Sequence, residues 1–243
     1  MSDTIKANGA GRLGNLLFHN FVVSCLAKNY KKSATYQQQE IFTQLGIYFH
    51  NEPNPISSDV TIQLSDSNLL EYINNFANAT YHFKMINDTF CQLKEISRLL
   101  YSHFRSVQSD IIGANPYKSR YKTNRDVFVH VRLGDVSQCS PGLSYFETAL
   151  NAVDYERGYL STDSPESPMV WALCAKYNLE LFYKSEVETL QFGSTCSSLI
   201  LSHGTFSWFL GALGFDSTVR YPVIKQVWHG NIFVIPEWIE VTY

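Results

Sequence analysis

Three residues near the end of a ten-residue apolar stretch can do chemistry that a buried strand does not need. Val127 to Val136 reads Val-Phe-Val-His-Val-Arg-Leu-Gly-Asp-Val, with His130, Arg132 and Asp135 toward its far end. An arginine grips two acceptor oxygens at once, and a carboxylate beside it braces it. In an open α/β sheet, ligands bind in the crevice outside the carboxyl ends of the strands. Arg132 and Asp135 leaving a strand together therefore read as a site. The plainer alternative is an Arg-Asp pair tying a loop to a strand end, since ion-pair networks of structural use are common.

Two further segments have the same character. Ser161-Thr-Asp-Ser164 directly follows Tyr159-Leu160, and Ser202-His-Gly-Thr-Phe-Ser207 leads into an apolar segment with Trp208 and Phe209. The second offers hydroxyls and helix N-terminal N–H groups together, a receptor for phosphate oxygens. Ordinary N-capping uses the same residue types. Asp163 can cap the helix after it, or accept hydrogen bonds from a sugar or base. Near the start, Gly9, Gly11 and Gly14 lie in Asn8-Gly-Ala-Gly-Arg-Leu-Gly-Asn15 and let backbone approach a ligand closely. The loop lacks the G-x-x-x-x-G-K-[ST] spacing of a phosphate loop, and a tight strand-to-helix turn would also need small residues.

Patterning says which elements would carry these groups. Thr4 to Ala7 reads as a short strand and Leu16 to Tyr30 as a helix, with the glycine loop between them. Lys31 to Tyr36 and Asp59 to Leu64 read as strands, and the spacing of Phe90, Leu93, Ile96, Leu100 and Phe104 predicts a helix over 89–105. The polar run 113–125, with Lys118, Arg120, Lys122 and Arg125, reads as a linker and a solvated face. Beyond it, strand patterns at 127–132, 158–161, 179–183 and 198–202 alternate with helical ones at 143–153, 165–177, 186–192 and 205–213. Such alternation implies a parallel sheet with helices on its faces, so that every strand end faces one crevice. The expected organisation is an N-terminal lobe over 1–124, a C-terminal lobe over 125–214, and a last segment, 215–243, that crosses back to the first lobe.

Composition bounds the rest. The 243 residues are 45% hydrophobic, enough for a substantial core, and the net charge of −3 argues against a nucleic-acid or anionic-membrane partner. Five cysteines show no Cys-x-x-Cys and no zinc-ligand spacing, so buried reduced thiols are expected. The opening Met-Ser-Asp-Thr-Ile-Lys lacks the apolar run of a signal peptide, and no stretch is apolar enough to span a membrane, so a soluble cytoplasmic protein is expected. Trp228, Phe233, Trp238 and Tyr243 suit either sugar stacking or packing within and between lobes, with packing the favoured use.

Taken in order, Gly11-Arg-Leu-Gly-Asn-Leu-Leu-Phe18, His130-Val-Arg-Leu-Gly-Asp135, Ser161-Thr-Asp-Ser164 and Ser202-His-Gly-Thr-Phe-Ser-Trp208 resemble the motifs of the α-1,2-fucosyltransferases of glycosyltransferase family 11. More distantly, they are similar to those of the α-1,6- and protein O-fucosyltransferases. The resemblance implies a two-lobed α/β fold of the GT-B kind, with Rossmann-like parallel sheets and a compact N-terminal lobe. It also implies GDP-fucose in the cleft, a glycan acceptor and no required metal or other cofactor. The sequence contains no Asp-x-Asp pair, and Arg132 would stand where the metal otherwise steadies the diphosphate.

By the same resemblance, Thr205, Phe206 and Ser207 would meet the diphosphate, and Asp163 the guanine or ribose. Gly14 and Asn15 would line the cleft from the other lobe, and His130 would orient the loop or touch the nucleotide. Asp135 is assigned with Arg132 to catalysis; bracing the arginine is its favoured role, since a carboxylate beside a guanidinium is a weak base at neutral pH. The chain has Leu16, Leu133, His203 and Ser164 where the family commonly has Gln, a second basic residue, Asn and a second acidic residue. Three alternatives stay open: another nucleotide-sugar donor, a relative that binds glycan or nucleotide without turnover, and a phosphate- or carbohydrate-binding module.

Overall fold

The computed structural model describes residues 4–7, 11–74, 81–224 and 230–243. In the first half the order is β1 (Thr4–Lys6), α1 (Leu13–Tyr30), β2 (Ser33–Thr35), α2 (Gln39–Gln44), β3 (Thr61–Leu64), α3 (Leu69–Asn74), β4 (His82–Met85), α4 (Lys94–Ser106) and α5 (Gln108–Ala114). The second half runs β5 (Val127–Val131), α6 (Leu143–Asn151), β6 (Gly158–Thr162), α7 (Pro168–Tyr177), β7 (Leu179–Leu181), α8 (Glu186–Gly193), β8 (Ser198–Ile200), α9 (Thr205–Leu213), β9 (Thr218–Pro222) and β10 (Ile239–Val241). Among the described residues no helix is long and apolar enough to cross a membrane.

The second half forms one parallel six-stranded sheet in the order β10-β9-β8-β5-β6-β7. From β5 the chain steps outward through β6 to β7, then returns to lay β8, β9 and β10 on the other side of β5. The strand order therefore reverses between β5 and β8, and an α/β sheet opens its ligand crevice at such a reversal. Strand alternation explains the two covered faces. Val127, Val129 and Val131 pack with Tyr145, Phe146 and Leu150 of α6 and with Val170 and Leu173 of α7. Phe128 points to the opposite face and joins the core that holds Leu190 of α8 and Trp208 and Phe209 of α9.

The first half is built on smaller pairs, β1 with β2 and β3 with β4, each parallel. α1 connects the lobes physically: it is buried around most of its circumference and packs on α9, with the Phe18 and Trp208 rings 5.0 Å apart. α4 joins the same seam, where Phe104 stacks on Phe209 at 5.9 Å. The lobes thus share a continuous apolar core below the cleft.

Three expectations about the elements change. The helix expected from residue 89 begins at Lys94, because residues 90–92 form a loop with Cys91 in the left-handed region at φ +60°. The polar run 113–125 is anchored: Arg120 donates to Asp126 at 2.6 Å and to Thr195 at 3.0 Å, with its guanidinium 4.3 Å above the Phe192 ring. Asn115 is buried and donates to the Gln191 carbonyl at 2.8 Å. Residues 215–243 contribute β9 and β10 to the second sheet, while the stretch between those strands touches the first lobe, Arg98 donating to the Val234 carbonyl at 3.2 Å. Trp228 lies outside the described residues. Phe233 and Trp238 are buried core residues.

Candidate active site

A cleft of about 470 Å³ opens where the strand order reverses. Gly11, Arg12, Gly14 and Asn15 line it from the start of α1, and His130, Arg132 and Asp135 from the end of β5. His203, Gly204, Thr205 and Phe206 reach it from the turn after β8, while Phe90, Gln92, Ile224, Gly230, Ile232 and Phe233 complete it. Gly9 lies outside the described residues.

Arg132 leaves the tip of β5 and is held by carboxylates on both sides. Its Nη1 meets Asp163 at 2.7 Å and its Nη2 donates to Asp135. Arg12 of the first lobe faces the same two acids, Asp163 at 3.2 Å and Asp135 at 3.6 Å, which closes a ring of two arginines and two aspartates across the lobes. Asp163 also accepts the Leu133 N–H at 2.9 Å, and the Gly134 N–H donates to Ser164 at 3.2 Å. Gly134 leaves room for this closeness, since a Cβ there would lie 2.5 Å from Asp163 Oδ2 and would push against a side chain already tied to Arg132. Asp163 is largely covered and committed to the arginines, whereas the Asp135 side chain is 64% exposed. Of the two acids, Asp135 is the one free to give way to a ligand.

Two helix N-termini meet on the cleft floor. A Cβ on Gly14 would lie 2.5 Å from the Phe206 nitrogen, so only glycine lets α1 approach α9 this closely. Asn15 joins the lobes there: its Oδ1 accepts the Thr205 hydroxyl at 2.6 Å and the Gln92 amide at 3.2 Å. The first-turn N–H groups of an α-helix have no intrahelical acceptor, so the start of α9 favours an anion.

His130 and Ser207 occupy the layer beneath. His130 is buried on the face of β5 turned toward α9, its Nδ1 is 2.6 Å from Ser207 Oγ, and its ring is 5.1 Å from that of Phe206. Burial pushes its pKa down to about 4, with Asp163 opposing and His203 adding to the shift. At neutral pH it is an uncharged hydrogen-bonding group. Ser207 is fully buried and does not line the cleft, so its hydroxyl serves His130 where contact with the diphosphate was expected.

Of the residues singled out in the sequence, Gly14, Asn15, His130, Arg132, Asp135, Thr205 and Phe206 come together at the cleft. Asp163 stands behind Arg132, and Ser207 behind His130. Sequence reasoning missed Arg12, Phe90 and Gln92. Arg12 had a signal, as a lone cation within the glycine loop, whereas Phe90 and Gln92 were hidden inside an apparent helical repeat. Gly9, Gly11 and Gly14 also have G-x-G-x-x-G spacing, although no Asp or Glu stands between Tyr30 and Glu40, where a dinucleotide site places its ribose-binding acid. Among the described residues, no three His, Cys, Asp or Glu side chains gather as a metal-holding group.

No protein-family model and no curated protein sequence matches the chain. Among solved structures, the selenomethionine form of the fucosyltransferase NodZ from Bradyrhizobium is similar, with a TM-score of 0.50 at 13% identity over 87% of this chain and 92% of that one. The NodZ α-1,6-fucosyltransferase co-crystallised with GDP follows at a TM-score of 0.49 and 12% identity, over the same shares of each chain. At such identities the likeness is one of fold. The chain has the two-lobed α/β architecture of GT-B-like glycosyltransferases, with Rossmann-like parallel strands.

Proposed function

We propose that this chain is an inverting, metal-independent fucosyltransferase that moves fucose from GDP-fucose to a hydroxyl of a glycan acceptor, forming an α-1,2 linkage. The carrying observation is the place of Arg132. It stands at the strand-order reversal beside the start of α9, facing a second arginine from the other lobe. A guanidinium pair and a helix N-terminus suit two linked phosphates. In this reading the diphosphate displaces Asp135 from the arginines, while Asp163 keeps Arg132 aimed. Thr205, Phe206, Gly14 and Asn15 form the floor under the donor.

The acceptor oxygen then forms its bond to the anomeric carbon from the face opposite GDP. The bond from that carbon to the β-phosphate oxygen breaks, GDP leaves with the electron pair, and the hydroxyl proton passes to solvent. Arg132 and Arg12 offset the charge that builds on the leaving diphosphate, which is where stabilisation accelerates the reaction. His130 stays neutral and holds the strand tip against α9 through Ser207.

Leu133 favours a second reading, another nucleotide-sugar donor, because an apolar residue stands beside Arg132 where the resemblance implies a second basic one. Calorimetry with GDP and GDP-fucose in chelator, on the wild type and on Arg132→Ala, tests the first reading. Metal-free binding that disappears in the variant, followed by α-fucoside formation in an acceptor screen, is the expected result. A folded wild type that binds neither nucleotide sinks it, and binding of another sugar nucleotide in its place selects the second reading.

A further inference from the structure

The Phe90 to Gln92 segment forms the first-lobe wall of the cleft, in a conformation its own residues do not favour. Cys91 stands at φ +60°, in the left-handed region that costs a non-glycine residue energy and persists where surrounding contacts impose it. The imposing contact is the carboxylate of Asp66, in the turn after β3. Its Oδ2 accepts the Phe90 N–H at 3.0 Å and its Oδ1 the Cys91 N–H at 2.8 Å. The turn that carries Asp66 closes through other groups, Asn68 Oδ1 accepting the Ser65 N–H at 2.9 Å. Both Asp66 oxygens thus serve the cleft wall, through charge-assisted bonds stronger than neutral ones.

That hold extends into the site. Phe90 lines the cleft, and Gln92 shares the Asn15 oxygen with Thr205, linking the wall to the floor under the diphosphate. A Cβ on Gly230 would lie 3.5 Å from the Gln92 carbonyl, so the C-terminal segment seats against the same loop. Arg132 and Asp163 occupy the other side. We propose that Asp66 is a positioning residue, which sets Phe90 and Gln92 against the transferred sugar and its acceptor while the second lobe holds the nucleotide. The proposal rests on reading the cleft as a fucosyl-transfer site.

The test compares wild type, Asp66→Ala and Asp66→Asn by amide hydrogen exchange, GDP calorimetry and GDP release from GDP-fucose with water as acceptor. In Asp66→Ala, exchange at Phe90 and Cys91 should quicken by about tenfold or more, while GDP affinity stays within about twofold. Turnover should fall about tenfold, since the wall no longer holds the sugar in place. Asp66→Asn keeps one acceptor oxygen and should fall between the other two in exchange and turnover. Unchanged exchange overturns the hold, and faster exchange with unchanged turnover overturns its bearing on the site. Parallel losses of GDP affinity, turnover and Tm would make Asp66 purely structural. A wild type that binds no GDP overturns the fucosyltransferase reading instead, and the exchange comparison then decides the hold alone.

Discussion

The two sides of the cleft are built on opposite principles. The side at the strand tips is charged, and each of its ions is paired: Arg132 and Arg12 with Asp135 and Asp163, and Asp163 also with a backbone N–H. The side made by Ile224, Ile232 and Phe233 is apolar and continuous with the core, the Phe233 ring packing 5.6 Å from Tyr221 and 6.1 Å from Trp238. Charges near a surface contribute little to folding because water screens them, whereas buried rings contribute a great deal. Damage to the apolar side should therefore register first as lost stability, and damage to the charged side as lost binding.

Phe233→Ala provides the largest expected effect on that contrast. A nearly fully buried phenylalanine is removed, and unfolding in urea should show a loss of about 3–5 kcal/mol. A loss below about 1 kcal/mol would mean that the apolar side is not part of the core. On the charged side, Arg132→Ala should lower kcat/KM for GDP-fucose by roughly 10²–10³, as when a single transition-state donor is removed, while stability falls by only about 1 kcal/mol. Equal losses in both quantities would erase the distinction between the sides.

Beneath the charged side, His130 links pH to folding. Its folded pKa of about 4 lies below the ordinary value of 6.5, so between those values the unfolded chain binds the proton and the folded one does not. Stability from this group is complete above pH 6.5, declines as pH falls, and is gone below the folded value, a change on the order of 3 kcal/mol. Urea unfolding from pH 7 to pH 4 should show His130→Gln losing correspondingly less than wild type, and identical slopes would refute the buried neutral imidazole. The smallest effect belongs to Asp135→Asn. Its exposed carboxylate should add less than about 1 kcal/mol to stability, yet in the proposed reading it would compete with phosphate for Arg132. Calorimetry should show GDP bound several-fold more tightly, and weaker binding would show that Asp135 assists the ligand.

Much of the second lobe was legible because short apolar segments, β5 the most β-branched and aromatic of them, alternate there with helical patterns and end in polar residues. Val127 to Val131, Gly158 to Thr162 and Thr205 to Leu213 form a strand, a strand and a helix close to where patterning puts them. The first lobe was less legible. Its strands are three or four residues long, and the repeat from Phe90 to Phe104 runs across a loop because Asp66, 24 residues before Phe90 in the chain, takes the amides that a helix would have used. The strands β9 and β10 were missed because β10 is three residues long and β9, Thr-Val-Arg-Tyr-Pro, breaks its apolar pattern with Arg220 and Pro222.

What the sequence determined by itself was the alternation of strands and helices after residue 125 and the polar strand ends, because both follow from local residue type and period. Only the tertiary structure decided that Arg12 joins Arg132, that Ser207 faces His130 rather than the cleft, and that Asp66 reaches the Phe90 loop. Those pairings lie 24 to 120 residues apart along the chain, and no local preference encodes them. The first exists because α1 and α4 pack on α9 and bring the lobes to one cleft; the second because β8 pairs with β5 and sets the start of α9 over that strand; the third because Asp66, in the turn after β3, reaches across to the loop before α4.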